Sequence, residues 1–309
     1  MTPAAPRPKW PRRRLLAAGV GGAAGLLFVG VTWAELVSRG VLPGKAVLDD
    51  LDGACSVPSP PVSYLPTGPS FSGTFYSAAR RRPVGYTIAY PAGHPAGARL
   101  PLAIMLHGYG GNHADALVGM SPAQALALKI DGRPLAPMAM VTVDGGDGYW
   151  NPHPGDDPMA MVIDELIPRC QRLGLGRPPM RIGAMGISMG GFGALLFAER
   201  YPRLFAAVAA ISPAIWTSYP QARNANAGAF ASAAAFAADD VVTHASALAR
   251  LPIRIASGYD DPFYPGVQAL ARAAPAGAMV DFAKGCHTGP FFAEQQPPSL
   301  MFLSGHLAR

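Results

Sequence analysis

The sequence predicts an α/β chain with a mostly parallel central sheet covered by helices on both faces. The first observation is rhythm. Short apolar runs at Leu102–Leu106, Met138–Val143, Arg181–Ile187, Ala206–Ile211, Ile253–Ser257 and Ala278–Phe282 have the length of strands buried on both sides. Segments with helical spacing lie between them, near residues 113–128, 158–172, 189–200, 264–273 and 290–306. The second is size: 309 residues with 50% hydrophobic content can bury the core of one domain of about 250 residues once a leader is set aside. The third is composition. Charged residues make up only 14%, beside 36 glycines and 33 prolines, which suits a loop-rich globular protein and not a coiled coil or a disordered chain.

Along the chain three regions are expected: a leader over 1–34, a connector over 35–68 and a folded domain over 69–309. Residues 1–14 are Pro-rich and carry Arg7, Lys9, Arg12, Arg13 and Arg14 with no acid, and Leu15–Ala34 is uncharged. A cationic stretch before an apolar one is the layout of an export signal. Arg12-Arg13-Arg14-Leu15-Leu16 resembles a twin-arginine signal, which implies export of a folded protein, secreted or held at the cell envelope. The rival is a membrane anchor over residues 15–34, just long enough to span a bilayer though five glycines leave it weakly apolar. In the connector, Pro58, Pro60, Pro61 and Pro66 oppose regular structure.

The domain opens with Ser70–Tyr76 and Val84–Tyr90, expected as an antiparallel pair at one sheet edge. Tyr219–Ala249 breaks the strand–helix rhythm. Ala-rich, with Phe230 and Phe236, it is expected as a small helical excursion, either a lid over the site or a surface helix pair.

The net charge of +6 belongs mainly to the leader. Five of the 25 basic residues sit there, leaving 20 against 19 acidic ones. Arg80-Arg81-Arg82 reads as a solvated loop, so nucleic acid is not an expected partner. No G-x-G-x-x-G, P-loop or metal-ligand spacing is present, and neither cofactor, metal nor partner protein is expected.

The stretch that carries chemistry is Met180–Leu196. An apolar run ends at Gly186-Ile187-Ser188-Met189-Gly190, and helical spacing begins directly after it. A serine at the tip of a sharp strand-to-helix turn has a strained backbone, and side chains two residues to either side would collide, so glycine is needed there. The following helix aims its first free N–H groups beside the hydroxyl. Ser188 is the candidate nucleophile.

A serine needs a base to accept its proton, and the base needs an acid to fix its tautomer. Where the serine sits on such a turn, the chain order is serine, acid, histidine. Of His244, His287 and His306, only His287 lies in a Gly/Pro loop directly after the last strand. The acid belongs to the turn Gly258-Tyr259-Asp260-Asp261-Pro262-Phe263. Asp261, bracketed by Gly258 and Pro262, is the choice, with Asp260 in reserve.

Charge developing on a substrate carbonyl needs preset N–H donors. One is expected at the backbone of Met189. The other is expected in the loop Leu106-His107-Gly108-Tyr109-Gly110-Gly111-Asn112, at Tyr109 with Gly110 in reserve. His107, Gly108 and Gly110 are expected to border bound substrate, His107 in a structural more than a catalytic role. Tyr149 and Trp150, in the Gly-rich loop Asp144–His153, are candidates for an acyl- or alcohol-binding wall, although a packed loop would read the same way. The expected partner is a small-molecule or lipid ester. Cys55, Cys170 and Cys286 suit one disulfide and one free thiol in an exported protein. Counting alone leaves the pairing open; Cys55–Cys286, tying the connector beside His287, is the expectation.

From about residue 70 onward, LHGYGGN (106–112), GISMGG (186–191), GYDDPF (258–263) and GCHTGPF (285–291) together resemble the esterase D-like branch of α/β-hydrolases, which includes the secreted mycolyltransferases. The RRRLL leader and residues 40–45 are similar to exported actinobacterial esterases. The resemblance implies the α/β-hydrolase fold and a serine esterase. Mycolyltransferases carry an aspartate where this chain has His107, so hydrolysis is better supported than transfer of very long acyl chains. A non-catalytic binding protein on the same fold is the remaining alternative.

Overall fold

The computed structural model describes residues 53–58 and 61–308. The leader, with its export signal or anchor, and most of the connector lie outside the described residues. Among the described residues no helix is long and apolar enough to cross a membrane. Cys55–Arg309 forms one compact unit.

The strands are β1 (Val62–Tyr64), β2 (Ser70–Ser77), β3 (Arg82–Ala89), β4 (Leu102–Leu106), β5 (Leu128–Ile130), β6 (Arg133–Pro134), β7 (Ala139–Val143), β8 (Ile182–Ile187), β9 (Phe205–Ile211), β10 (Ile253–Gly258) and β11 (Met279–Ala283). Eight of them form one sheet in the order β11-β10-β9-β8-β4-β7-β3-β2. Pairing is parallel from β11 through to β7. β3 joins β7 antiparallel and β2 joins β3 antiparallel, placing the expected pair at the sheet edge. Every residue of β4, β7, β8 and β10 is buried, as in strands covered on both faces, and the buried Arg254 of β10 is bonded to Asp281, Gln295 and Ser299.

Helices α1 (Pro122–Leu126), α2 (Pro158–Ala160), α3 (Ile167–Arg172), α4 (Met189–Arg200), α5 (Tyr219–Ala225), α6 (Ala233–Ala238), α7 (Tyr264–Ala273) and α8 (Gly289–Leu307) supply the covering. One apolar cluster holds Phe192, Leu195 and Leu196 of α4 with Val267 and Leu270 of α7, and the opposite one holds Leu126 of α1 with Leu300 and Leu303 of α8. The chain leaves β4 for β7 on one side and returns to β8 on the other. A ligand crevice is expected outside the carboxyl ends of strands at such a reversal.

The structure departs from the sequence reading in four places, the first being Arg80, read as part of a solvated loop but buried and paired with Asp156. The helix expected near 113–128 shrinks to α1. Its first half is a loop because side chains capture the backbone N–H groups: Asn112 N–H donates to Asp115, His113 N–H to Asp144 and Ala114 N–H to Asn112. Helix begins only where Ser121 and Gln124 close a capping box ahead of Pro122. The connector is not wholly irregular either, since β1 pairs with β5, which pairs with β6, as a small second sheet. Between α2 and α3 the helix widens into a π-turn at Met161–Leu166. The excursion is present as α5, α6 and a 3₁₀ turn at Ala245–Leu248.

Candidate active site

Ser188 stands between β8 and α4 with φ 56° and ψ −119°, a conformation that a residue with a side chain adopts only under restraint. Three backbone bonds supply that restraint. The Ser188 N–H donates to the Ile211 carbonyl at 2.9 Å, and the Ser188 carbonyl accepts from Phe192 and Ala214, each at 3.0 Å. Both glycines of the turn are needed for close approach. A Cβ at Gly186 would lie 2.1 Å from the carbonyl of Gly190, and one at Gly190 would lie 2.0 Å from the Leu106 carbonyl oxygen.

The loops after β10 and β11 bring the other two residues to this point. His287 Nε2 lies 2.8 Å from Ser188 Oγ, and His287 Nδ1 lies 2.8 Å from Asp261 Oδ2. The fully buried Asp261 carboxylate also accepts from the Phe263 N–H at 2.8 Å. A carboxylate can only accept, so Nδ1 carries the proton and Nε2 is left to accept from the Ser188 hydroxyl. Phe263 and Phe292 pack on the imidazole, with ring centroids 5.0 and 4.9 Å away. Asp261, rather than its reserve Asp260, supplies the carboxylate at Nδ1. Cys286, beside His287, is bonded to Cys55, as expected. Cys170 remains a buried thiol, its pKa pushed up to about 12 by burial, with Arg169 opposing.

A cleft of about 440 Å³ opens on these residues, walled by Gly108–Gly111, Ala116, Val118, Ile187 and Phe292. Tyr109 is exposed at its mouth, with 63% of its surface accessible. Met189 heads α4, where N–H groups have no helical carbonyl to bond. Of the two loop donors considered, Gly110 is already engaged: its N–H donates to Asp147 Oδ1 at 2.7 Å. The Tyr109 N–H has no partner among the described residues.

Three of the expected substrate contacts need correction. His107 and Trp150 are wholly buried and Tyr149 nearly so, so none of them reaches the cleft. Indole and phenol rings bury too much apolar surface to stay in a wet loop when a core is within reach. Trp150 packs edge-on against Phe197 and donates from Nε1 to the His107 carbonyl at 3.2 Å. Tyr149 packs against Phe192 and Phe230, and its hydroxyl accepts from Trp216 Nε1 at 3.0 Å. Burial pushes the Tyr149 pKa up to about 12, against the Trp216 hydrogen bond. Gly108 and Gly110 do line the cleft. The excursion contributes none of its walls; Asn226 and Phe230 pack instead on the Asp144–His153 loop.

Asp147 was missed by sequence reasoning, although a carboxylate in a Gly-rich loop after a strand is a recognisable N–H acceptor. Asp144 was missed as well. Its oxygens gather the N–H groups of Gly85 and His113 and the ring of His113, which hold its pKa below the ordinary value against burial. Among the described residues no group of His, Cys, Asp and Glu could hold a metal ion.

The family model described as "Putative esterase" matches residues 77–280. No curated protein matches the chain. Among solved structures, it is similar to a ferulic acid esterase at 17% identity and a TM-score of 0.60, over 77% of this chain and 99% of that one. It is similar to an S-formylglutathione hydrolase from Agrobacterium tumefaciens at 16% identity and a TM-score of 0.61, over 80% of this chain and 98% of that one. A feruloyl esterase module from Clostridium thermocellum matches at 15% identity and a TM-score of 0.57, over 81% of this chain and 96% of that one. At such identities the likeness speaks for the fold, which is that of the α/β-hydrolases. With more than half of its length matched by the family model, the chain belongs to the esterase family of carboxylic ester hydrolases.

Proposed function

We propose that the protein is an exported serine esterase that works through an acyl-enzyme on Ser188. Ser188 Oγ attacks the acyl carbon while His287 Nε2 takes its proton. Asp261 holds the imidazole in the required tautomer and faces the imidazolium that forms. The N–H groups of Met189 and Tyr109 receive the charge on the carbonyl oxygen. Collapse breaks the bond to the alcohol, which leaves with the proton from His287. Water then attacks the acyl carbon, again giving a proton to His287, and the acid departs as Ser188 recovers its own.

The observation that carries this reading is the unbroken hydrogen-bonded line from Asp261 through His287 to Ser188, with 2.8 Å at each step. The same acyl-enzyme would serve a mycolyltransferase-like enzyme that passes the acyl group to a sugar alcohol. A cleft of about 440 Å³, toward the lower end of small-molecule sites, favours a compact acyl group over a very long one. Export is supported by the cationic leader and by the Cys55–Cys286 bond, since such bonds persist in oxidising compartments.

A fluorophosphonate probe should label wild-type protein at Ser188 and abolish turnover of nitrophenyl esters. Label found elsewhere, or turnover that survives labelling, would remove the reading. Added trehalose or glycerol that diverts product from free acid to a new ester would favour transfer.

A further inference from the structure

A trans peptide points its carbonyl and its N–H in opposite directions, so whatever holds one aims the other. The peptide joining Gly108 to Tyr109 has its N–H in the role of oxyanion donor under the reading above. Its own restraints must therefore come from the Gly108 carbonyl. The Tyr109 side chain is largely exposed and supplies little.

The Gly108 oxygen is held twice. The Gly111 N–H donates to it at 3.1 Å across the turn. His107 Nδ1 lies 2.7 Å from it. On the far side of that ring, the Gly145 N–H donates to Nε2 at 2.9 Å. These partners settle the proton's place. A backbone N–H can only donate and a carbonyl can only accept, so Nε2 is bare and Nδ1–H points at Gly108. The ring is locked by more than these bonds. It is fully buried, it packs against Trp150 with centroids 5.0 Å apart, and the indole donates to the His107 carbonyl.

We infer that His107 is the positioning residue of the oxyanion site: its neutral ring ties the loop after β4 to the loop after β7 and thereby sets the direction of the Tyr109 N–H. A protonated ring would carry a second N–H straight toward that of Gly145. Burial works in favour of the neutral form by lowering the His107 pKa, while the hydrogen bond to Gly108 and then Asp144, Asp147 and Asp115 act the other way. His107 acts on the reaction only through the peptide it holds. The inference rests on the esterase reading, because Tyr109 matters only if charge develops on a carbonyl oxygen in the cleft.

The test compares His107→Asn, whose amide can place a donor where Nδ1 stands, with His107→Gln, whose amide reaches instead toward the Nε2 position and Gly145. His107→Leu removes both. Steady-state hydrolysis of a nitrophenyl ester is measured beside thermal unfolding for all three and for Ser188→Ala. Loss of a whole oxyanion donor costs roughly 100- to 1000-fold in kcat; a donor merely left free to swing should cost His107→Leu and His107→Gln about 10- to 100-fold. KM should stay within about threefold, since the donor acts in the transition state and not in substrate binding. His107→Asn should recover most of the lost kcat whatever its melting temperature.

Equal kcat for the Asn and Gln variants, or a loss of activity that follows unfolding alone, would overturn the positioning role. Should His107→Leu fail to fold, the Asn–Gln pair still decides. Ser188→Ala separates the two layers. If it retains wild-type turnover, the esterase reading falls and this inference falls with it. If Ser188→Ala is inactive while His107→Gln turns over normally, only the inference falls.

Discussion

The turn Gly186–Gly191 and the loop Asp144–His153 are both glycine-rich and both leave parallel strands beside β4, yet their glycines exist for different reasons. In the first, backbone meets backbone: Gly190 presses on Leu106, and Ser188 is left facing the cleft beside Ile187. In the second, side chains fill the space: Gly145 makes room for an indole, Gly146 for Arg80 and Gly148 for His153. A Cβ at Gly145 would lie 2.2 Å from the Trp150 ring, and Gly193 of α4 clears the other side of the indole, where a Cβ would lie 2.7 Å away. One loop spends its backbone freedom on exposing a polar side chain, the other on hiding two aromatic ones. Glycine-rich loops at the carboxyl end of a sheet are therefore of two kinds, separated by what fills the space beside the glycine.

The contrast is sharpest in substitutions that delete the central side chain of each loop. Ser188→Ala should lower kcat by about 10⁴-fold or more with no fall in melting temperature, since among the described residues the hydroxyl is bonded only to His287. Wild-type melting with residual turnover near wild type would break the first half of the comparison. Trp150→Ala should do the reverse. Emptying a fully buried indole site costs about 3–5 kcal/mol, read as a lower urea midpoint with unchanged slope. If the midpoint holds and KM rises instead, Trp150 belongs to the cleft after all.

This difference also marks how far the amino-acid pattern could be read. The strand–helix alternation, the sheet edge and the three residues on the Asp261–His287–Ser188 line were legible because each depends on local rules. Apolar runs make strands, glycine permits a strained turn, and the order of the loops follows from the topology. The burial of Tyr149 and Trp150 was not legible, because the partners that draw them inward, Phe192, Phe197 and Phe230, come from distant segments. The loop at 113–121 was misread for a related reason. Its residues have helical spacing, but Asp144 offers a carboxylate to its backbone from 31 positions away, a competitor that no local window contains.

A third loop, Lys284–Thr288, lies between the two kinds: its histidine faces the cleft, and its neighbour Cys286 is buried and bonded to Cys55 across 231 residues of chain. Cys55→Ser should cost about 2–4 kcal/mol, the usual contribution of a disulfide, again as a lower urea midpoint. Turnover should fall by less than about threefold, because Asp261, Phe263 and Phe292 hold the imidazole without it. A large fall in kcat at unchanged stability would mean that the covalent bond, and not the packing, sets the position of His287.

The smallest expected effect probes the seam where the two kinds of loop meet. Asp147 belongs to the second loop, but its carboxylate takes the Gly110 N–H of the cleft loop at 2.7 Å, and its carbonyl accepts from Asn226 of the excursion at 3.2 Å. Both contacts are exposed, so water can replace a lost acceptor and Asp147→Ala should cost less than about 1 kcal/mol in stability. What water cannot replace is the geometry. Gly110 has φ 73° and follows the exposed Tyr109, so loss of its anchor frees the peptide next to the proposed donor. A roughly tenfold fall in kcat at constant KM is expected, equivalent to about 1.4 kcal/mol in the transition state, and Asp147→Asn should restore most of it because its amide oxygen still accepts. Equal activity in all three proteins would mean that the turn from Gly108 to Gly111 holds its own shape, and that the aromatic loop supports the cleft only through its buried side.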